Sequence, residues 1–231
     1  MAVLVVAVGT ACSSDRGDSV GPLPADPSPL AAPTAGSGEG LSLLRSGFGT
    51  TGSRTYAVVL LRNDDTGRSG AVTATFTAYD SGGQVVGTGR ESLALVRAGQ
   101  TIAVGADLTV RPGGTVARVD TQLEVAQRQR DPHPTAIITG RGVRTGTGPG
   151  GFGLRAEGEL TSAYASSLSE LVVHAICFDS AGAVAGGGFT FAPGLAGGGT
   201  KPARVDLAVA EQPASCDLYA TTRAASSPDT A

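Results

Sequence analysis

The chain has 231 residues, a net charge of −3, 41% apolar and 16% charged residues. That length allows one or two domains, and with no basic block present it speaks against a nucleic-acid partner, because phosphate binding needs clustered Lys and Arg. Aromatics are only 4% and Trp is absent, so any core must be built from Val, Leu, Ile and Ala and will be modest in size.

The first segment, residues 1–12, is an apolar run, AVLVVAVGTAC, ending at Cys12. It falls short of the roughly 20 residues a membrane span needs. It has the length of a signal-peptide core, with small residues before the cleavage point. A cysteine placed there resembles the lipobox of bacterial lipoproteins. The resemblance implies that the Cys12 sulfur takes a diacylglycerol and that cleavage makes Cys12 the N-terminus. Ala11 fits that pattern; Gly9 departs from the usual Leu, and no basic stretch precedes the run. The expectation is an extracytoplasmic protein held to the cell membrane through a lipid anchor at Cys12. A plain signal peptide cut elsewhere, or an N-terminal strand, is the alternative.

Residues 13–40 are rich in Pro, Ser, Gly and Asp with no hydrophobic period. They read as a disordered linker with an r.m.s. reach of roughly 30 Å. Strand signals begin after it. AVTATFTAY (71–79) alternates, with Val72, Ala74, Phe76 and Ala78 on one face and Thr73, Thr75, Thr77 and Tyr79 on the other. TVARVDTQLEV (115–125) alternates too, with Ala117, Val119, Leu123 and Val125 inward. Further strands are predicted at 55–62, 84–88, 91–96 and 101–109, then at 154–160, 168–178, 183–191, 201–209 and 214–222. No amphipathic helix is predicted. Short strands with Gly-rich turns at this spacing indicate β-sandwiches. The predicted domains are 41–128 and 136–223, joined by a linker at 129–135, with a disordered tail at 224–231.

The two domains are copies of each other. AYDSGGQVVGTG (78–89) returns as CFDSAGAVAGGG (177–188). At this offset of 99 residues (179 − 80), Arg45, Gly47, Gly49, Ala57, Leu61, Gly99 and Thr101 also recur. Asp80 and Asp179 read as turn residues, each bonding its own downstream backbone while the following Gly supplies positive φ. On the same grid Cys177 lies opposite Ala78, and Cys216 opposite Ala117. Two gains at matched inward positions predict a Cys177–Cys216 disulfide, which an extracytoplasmic compartment permits.

One more divergence concerns faces. Thr73, Thr75, Thr77 and Tyr79 become Val172, His174, Ile176 and Phe178, while Tyr56, Val58 and Leu60 become Arg155, Glu157 and Glu159. Each domain therefore carries one apolar outer strip, on different strands. Such strips mark contact surfaces. Tyr56, Val58 and Leu60 are expected to pack against Val172, Ile176 and Phe178 between the domains. An envelope protein partner, or a further strand of the same domain, is the alternative cover.

Residues with reaction chemistry are sparse. His133 lies in the DPHP linker and reads as solvated; His174 reads as a surface or interface histidine. Asp64 and Asp65 sit in a loop that could hold a hard cation weakly, but the copy at 162–166 has no carboxylate, which favours a plain polar turn. No Ser elbow, phosphate loop or Cys/His metal spacing occurs. No cofactor and no metal is expected.

Phe76-Thr77-Ala78-Tyr79-Asp80, the stretch from Val96 to Thr101, and RSGFG (45–49) leading to Asn63 together resemble the FxLYD domain. The resemblance implies a small extracytoplasmic Ig-like β-sandwich of the kind found in bacterial lipoproteins, and the composition, with one lysine, fits a GC-rich genome. The family's Leu is Ala78 here. The second copy reads Ala175-Ile176-Cys177-Phe178-Asp179 and keeps only the aromatic–Asp pair. The resemblance implies fold and location and carries no catalytic residues. The expectation is an all-β chain: two tandem Ig-like β-sandwich domains after a disordered N-terminal tether. Its expected role is non-enzymatic binding or scaffolding in the cell envelope, with a carrier of a small apolar ligand or lipid as the alternative.

Overall fold

The computed structural model describes residues 40–148, 150 and 153–222. Cys12, residues 13–39 of the linker and the tail at 224–231 lie outside the described residues. No α-helix occurs among the described residues. The first half holds β1 (Leu41–Thr51), β2 (Arg54–Asn63), β3 (Arg68–Tyr79), β4 (Val85–Val96), β5 (Thr101–Asp107), β6 (Thr109–Val110) and β7 (Arg118–Arg130). The second holds β8 (Ile138–Thr147), β9 (Leu154–Ser162), β10 (Leu168–Phe178), β11 (Val184–Leu195), β12 (Thr200–Val209) and β13 (Ser215–Thr222).

In the first half a three-stranded sheet, β1-β2-β5, faces a four-stranded sheet, β6-β4-β3-β7. Alternation drives this packing. The period-2 pleat sends Val72, Ala74, Phe76 and Ala78 of β3 inward, each at most 1% exposed. They meet Ala57, Val59 and Leu61 of β2 and Ile102 and Val104 of β5 in one core. The second half repeats the layout around Leu160, Leu171, Val173, Ala175, Val205 and Leu218. Here the strands close into a barrel, β10-β11-β12-β9-β8-β13.

The barrel closes through two short joints. In the second half β12 runs unbroken until Ala208 and Val209 pair with Gly187 and Gly186 of β11. In the first half Leu108 makes the next rung with β2, donating its N–H to the Thr55 carbonyl, as Leu207 pairs with Leu154 in the second. The crossing residues Thr109 and Val110 then form the separate β6, pairing with Thr88 and Gly87 of β4. The other joint of the barrel is Tyr219 and Ala220 of β13 against Thr139 and Ile138 of β8.

The repeated Asp turn is the same object twice. The Asp80 carboxylate accepts from the backbone N–H of Gly82 and Gln84, and the Asp179 carboxylate from those of Ala181 and Ala183. Gly83 and Gly182 each adopt φ 78°, where a side chain is strained.

The disulfide joins Cys177 to Cys216, which face each other directly across β10 and β13. The grid equivalence with Ala117 is corrected, however. Ala78 pairs with Val119 in the first half, so Val119 is the counterpart of Cys216, at an offset of 97 residues (216 − 119). Ala117 precedes β7, is exposed, and donates to the Tyr79 carbonyl as Ala214 does to Phe178. The first half carries a turn at Arg111–Gly114 that makes its connection two residues longer. An even difference keeps every side chain on its face, so Cys216 still points inward.

The linker boundary also moves. β7 keeps its ladder with β3 up to Arg130, paired with Arg68. Residues 129 and 130 are therefore strand, and the connection runs from Asp131 to Ile137.

Two expectations follow. Gly83→Ala should cost about 1–2 kcal/mol because an L side chain is forced into the left-handed region. Gly82→Ala should be close to neutral, since Ala181 already occupies that place in the other copy. Urea denaturation of both variants checks this. Cys177→Ala with Cys216→Val recreates the Ala78–Val119 pair and should fold, with a loss of about 3–4 kcal/mol from the freed loop. A double variant as stable as the parent would show that the bond contributes nothing.

Candidate functional site: the seam between the two halves

The apolar strip of β2 faces the second half. Tyr56, Val58 and Leu60 are 0%, 0% and 8% exposed. They share a third cluster with Ala103 of β5, Ile176 of β10 and Ala208 of β12. Phe178, Val184, Phe189 and Tyr219 pack around it, partly buried. Of the six strip residues singled out in the sequence, five therefore meet here. Val172 is buried at 4% but stands outside this cluster, across the ladder from Phe191 and Thr221. Beside it, the Thr221 hydroxyl donates to the Leu95 carbonyl of the first half at 3.2 Å.

The backbones themselves approach at one point. A Cβ on Gly49 of β1 would strike the carbonyl oxygens of Ala208 and Ala185 and the Cα of Gly186. A Cβ on Gly186 would strike the Cα and N of Gly49. Glycine on both sides is what allows the contact. Polar bonds flank it: Thr51 Oγ1 donates to the Val209 carbonyl at 2.5 Å and accepts from its N–H at 2.9 Å. Arg54 bonds Asp107 at 2.7 Å and the Asp206 carbonyl at 3.0 Å. Arg45 donates to the Gly182 carbonyl and lies over the Phe178 ring, 5.5 Å from its centroid.

Within the seam, the Tyr56 hydroxyl and His174 Nδ1 are 2.8 Å apart, both residues being fully buried. Among the described residues His174 Nε2 has no hydrogen-bond partner. If the Tyr56 O–H donates to Nδ1, one group is unmet, the Nε2–H. With the roles reversed, both the Tyr56 hydrogen and the Nε2 lone pair are unmet. The first arrangement is favoured, because each orphaned buried polar group carries its full desolvation cost. Burial holds the Tyr56 hydroxyl well above its ordinary range, with Asp107 and Glu91 adding to the effect. Burial also pushes the His174 imidazole down to about 4.

A second junction pins the connection. Asp131 and Arg97 form an ion pair at 2.8 Å, their side chains 0% and 2% exposed. The Asp131 carboxylate also accepts from the backbone N–H of Ala98 and His133, each at 3.0 Å. The Arg97 guanidinium lies 5.3 Å from the Tyr164 ring centroid, and Tyr164 belongs to the core of the second half. One arginine thus ties the first half, the connection and the second half together. Sequence reading missed this cluster. The signal available was an arginine inside an apolar stretch, LALVRAG, at the grid position of Ala196.

The other residues considered for chemistry are occupied or exposed. Asp64 accepts from Ser42 and Arg62, and Asp65 accepts from the N–H of Gly67 and Arg68. His133 is exposed. Among the described residues no group of three or more His, Cys, Asp or Glu side chains is placed to hold a metal. The cavities are open grooves of mixed polarity. The largest of those described, about 500 Å³, is lined by Thr50, Thr55 and the 110–116 loop.

No family model and no curated protein matches the chain. Among solved structures it is similar to red sea bream transglutaminase, at 13% identity and a TM-score of 0.23, over 80% of this chain and 29% of that one. The chain spans less than a third of that protein's length, and a likeness so low carries nothing over to this chain.

Asp131→Ala should destabilise the protein by about 3–5 kcal/mol, because it takes the carboxylate from a buried guanidinium and leaves two backbone donors unmet. Chemical denaturation reads this directly, and a loss under 1 kcal/mol would remove the clamp's importance.

Proposed function

We propose that this chain is a lipid-anchored, extracytoplasmic protein of the cell envelope, built from tandem Ig-like domains similar to FxLYD, with a non-catalytic binding or scaffolding role. The observation that carries the reading is the Cys177–Cys216 disulfide in the core of the second half. Such bonds form and persist in oxidising compartments, and the same compartment is implied by a lipobox-like Cys12. Two β-rich halves tied by a buried seam and an ion-pair clamp make a stiff body, suited to presenting a surface at the end of a tether. The 28 residues from 13 to 40, rich in Pro, Ser, Gly and Asp, have a linker's composition, and a linker of that length would let the body work at roughly 30 Å from the membrane.

The anchor is tested by metabolic labelling with an alkyne fatty acid followed by cell fractionation. The parent chain should be labelled and membrane-bound, and Cys12→Ser unlabelled and released. A parent chain that is never labelled, or a Cys12→Ser chain that stays membrane-bound, would sink the anchored reading. Crosslinking on intact cells then addresses the binding role, which fails if the chain is recovered only uncrosslinked.

A further inference from the structure

We infer that the seam between the two halves is acid-labile, with His174 as its trigger. The geometry places an imidazole, 0% exposed, between two β-rich halves that are otherwise separately cored. Its one partner is the Tyr56 hydroxyl from the opposite half, at 2.8 Å. Among the described residues Nε2 has no hydrogen-bond partner. Phe189, across the β10–β11 ladder, lies with its ring centroid 6.1 Å from the imidazole.

Protonation converts this site from tolerable to costly. An imidazolium has two N–H donors. One can turn to the Tyr56 oxygen; the other finds nothing, and a full charge sits among apolar side chains. The groups that face the site do not relieve it. From β2 there is Tyr56, with the Arg54 guanidinium over its ring at 5.8 Å. From β5 there is Asp107, already paired with Arg54. Glu91 of β4 acts on Tyr56, and from β13 Tyr219 stands opposite His174 with Asp217 acting on it. β11 offers Phe189, which has no titratable group, and Arg45 of β1 lies over Phe178. No carboxylate bonds the imidazole, and burial alone depresses it.

The sign follows. With the closed-state imidazole at about 4 and the free value 6.5, the open state binds the proton more readily. Closure is undiminished above pH 6.5 and weakens as pH falls from there towards 4. The open-to-closed ratio should rise about 30-fold by pH 5. Opening of this kind would bare Tyr56, Val58, Leu60 and Ile176 in an acidified envelope or compartment.

The test is run on the full chain. NMR follows the His174 imidazole against pH, with the exposed His133 as the second of just two imidazole signals. Hydrogen exchange, corrected for intrinsic rates, follows the seam amide of Val209, which donates across the seam to Thr51 Oγ1. A His174 midpoint below 5, with seam protection falling at least tenfold between pH 7.5 and 5 while core amides of β3 hold, is the expected result. His174→Gln, which cannot be protonated, should abolish the fall. Tyr56→Phe, the second variant, should open the seam more at neutral pH and keep the fall. A midpoint near 6.5, seam protection unchanged to pH 5, or a fall that persists in His174→Gln overturns the inference.

Discussion

The outer face of β2 is covered by the other copy of the fold, and the rest of the architecture follows from that cover. Tyr56, Val58 and Leu60 are too apolar to face water, and each side chain of this size gains about 1.5–3 kcal/mol when fully buried. The second half supplies the matching surface by making β10 apolar on its outer side at Ile176 and Phe178. Neither strip would be stable alone. The contact also sets a minimum separation, since Gly49 and Gly186 touch through their backbones. A seam built on side chains alone could slide; one that includes a backbone contact and the two-way Thr51–Val209 bond has a defined register.

Duplication made this possible through opposite changes in the two copies. Where the first half is apolar on β2, the second carries Arg155, Glu157 and Glu159 on β9. These turn outward and find surface partners: Arg155 pairs with Asp206 at 2.7 Å and Glu157 with Arg204 at 3.2 Å. Exposed pairs of this kind contribute little stability; they keep a second greasy face from forming. The buried Arg97–Asp131 pair is different in kind. Its desolvation is large and is met by a carboxylate with three donors around it, so it acts as a positional pin that is strong only while complete.

Much of the fold was legible because a half-buried strand writes its period into the sequence. β10 was read with its observed limits, 168–178, as the second copy's counterpart of a first-copy strand, and the inward set of β3 was read residue by residue. β1 and β8 were missed as strands. Both are Gly-rich first strands, LSLLRSGFGTT and ITGRGVRTGT, and β1 spends its glycines on approaching β11 instead of on a period-2 pattern. The split of 84–88 and 91–96 was a misreading of one strand, β4, whose Gly and charged residues interrupt the apolar signal without interrupting the ladder. The disulfide was read correctly through an equivalence that was two residues out, because pleat parity survives an even insertion. Arg97–Asp131 left almost no trace, since a buried ion pair links residues 34 apart with no periodic signature.

The order of the halves along the chain has a consequence for how the molecule is made. Synthesis delivers the first half before the second. The part that arrives early is the one whose two sheets are not closed by continuous ladders, and whose β2 face has no cover of its own. The part that arrives late is self-closed and bridged by a disulfide. Until β10 and β11 emerge, Tyr56, Val58 and Leu60 stand bare on a nascent chain. The fold is thus completed backwards, its earlier portion held in waiting for a lid that has yet to be threaded through.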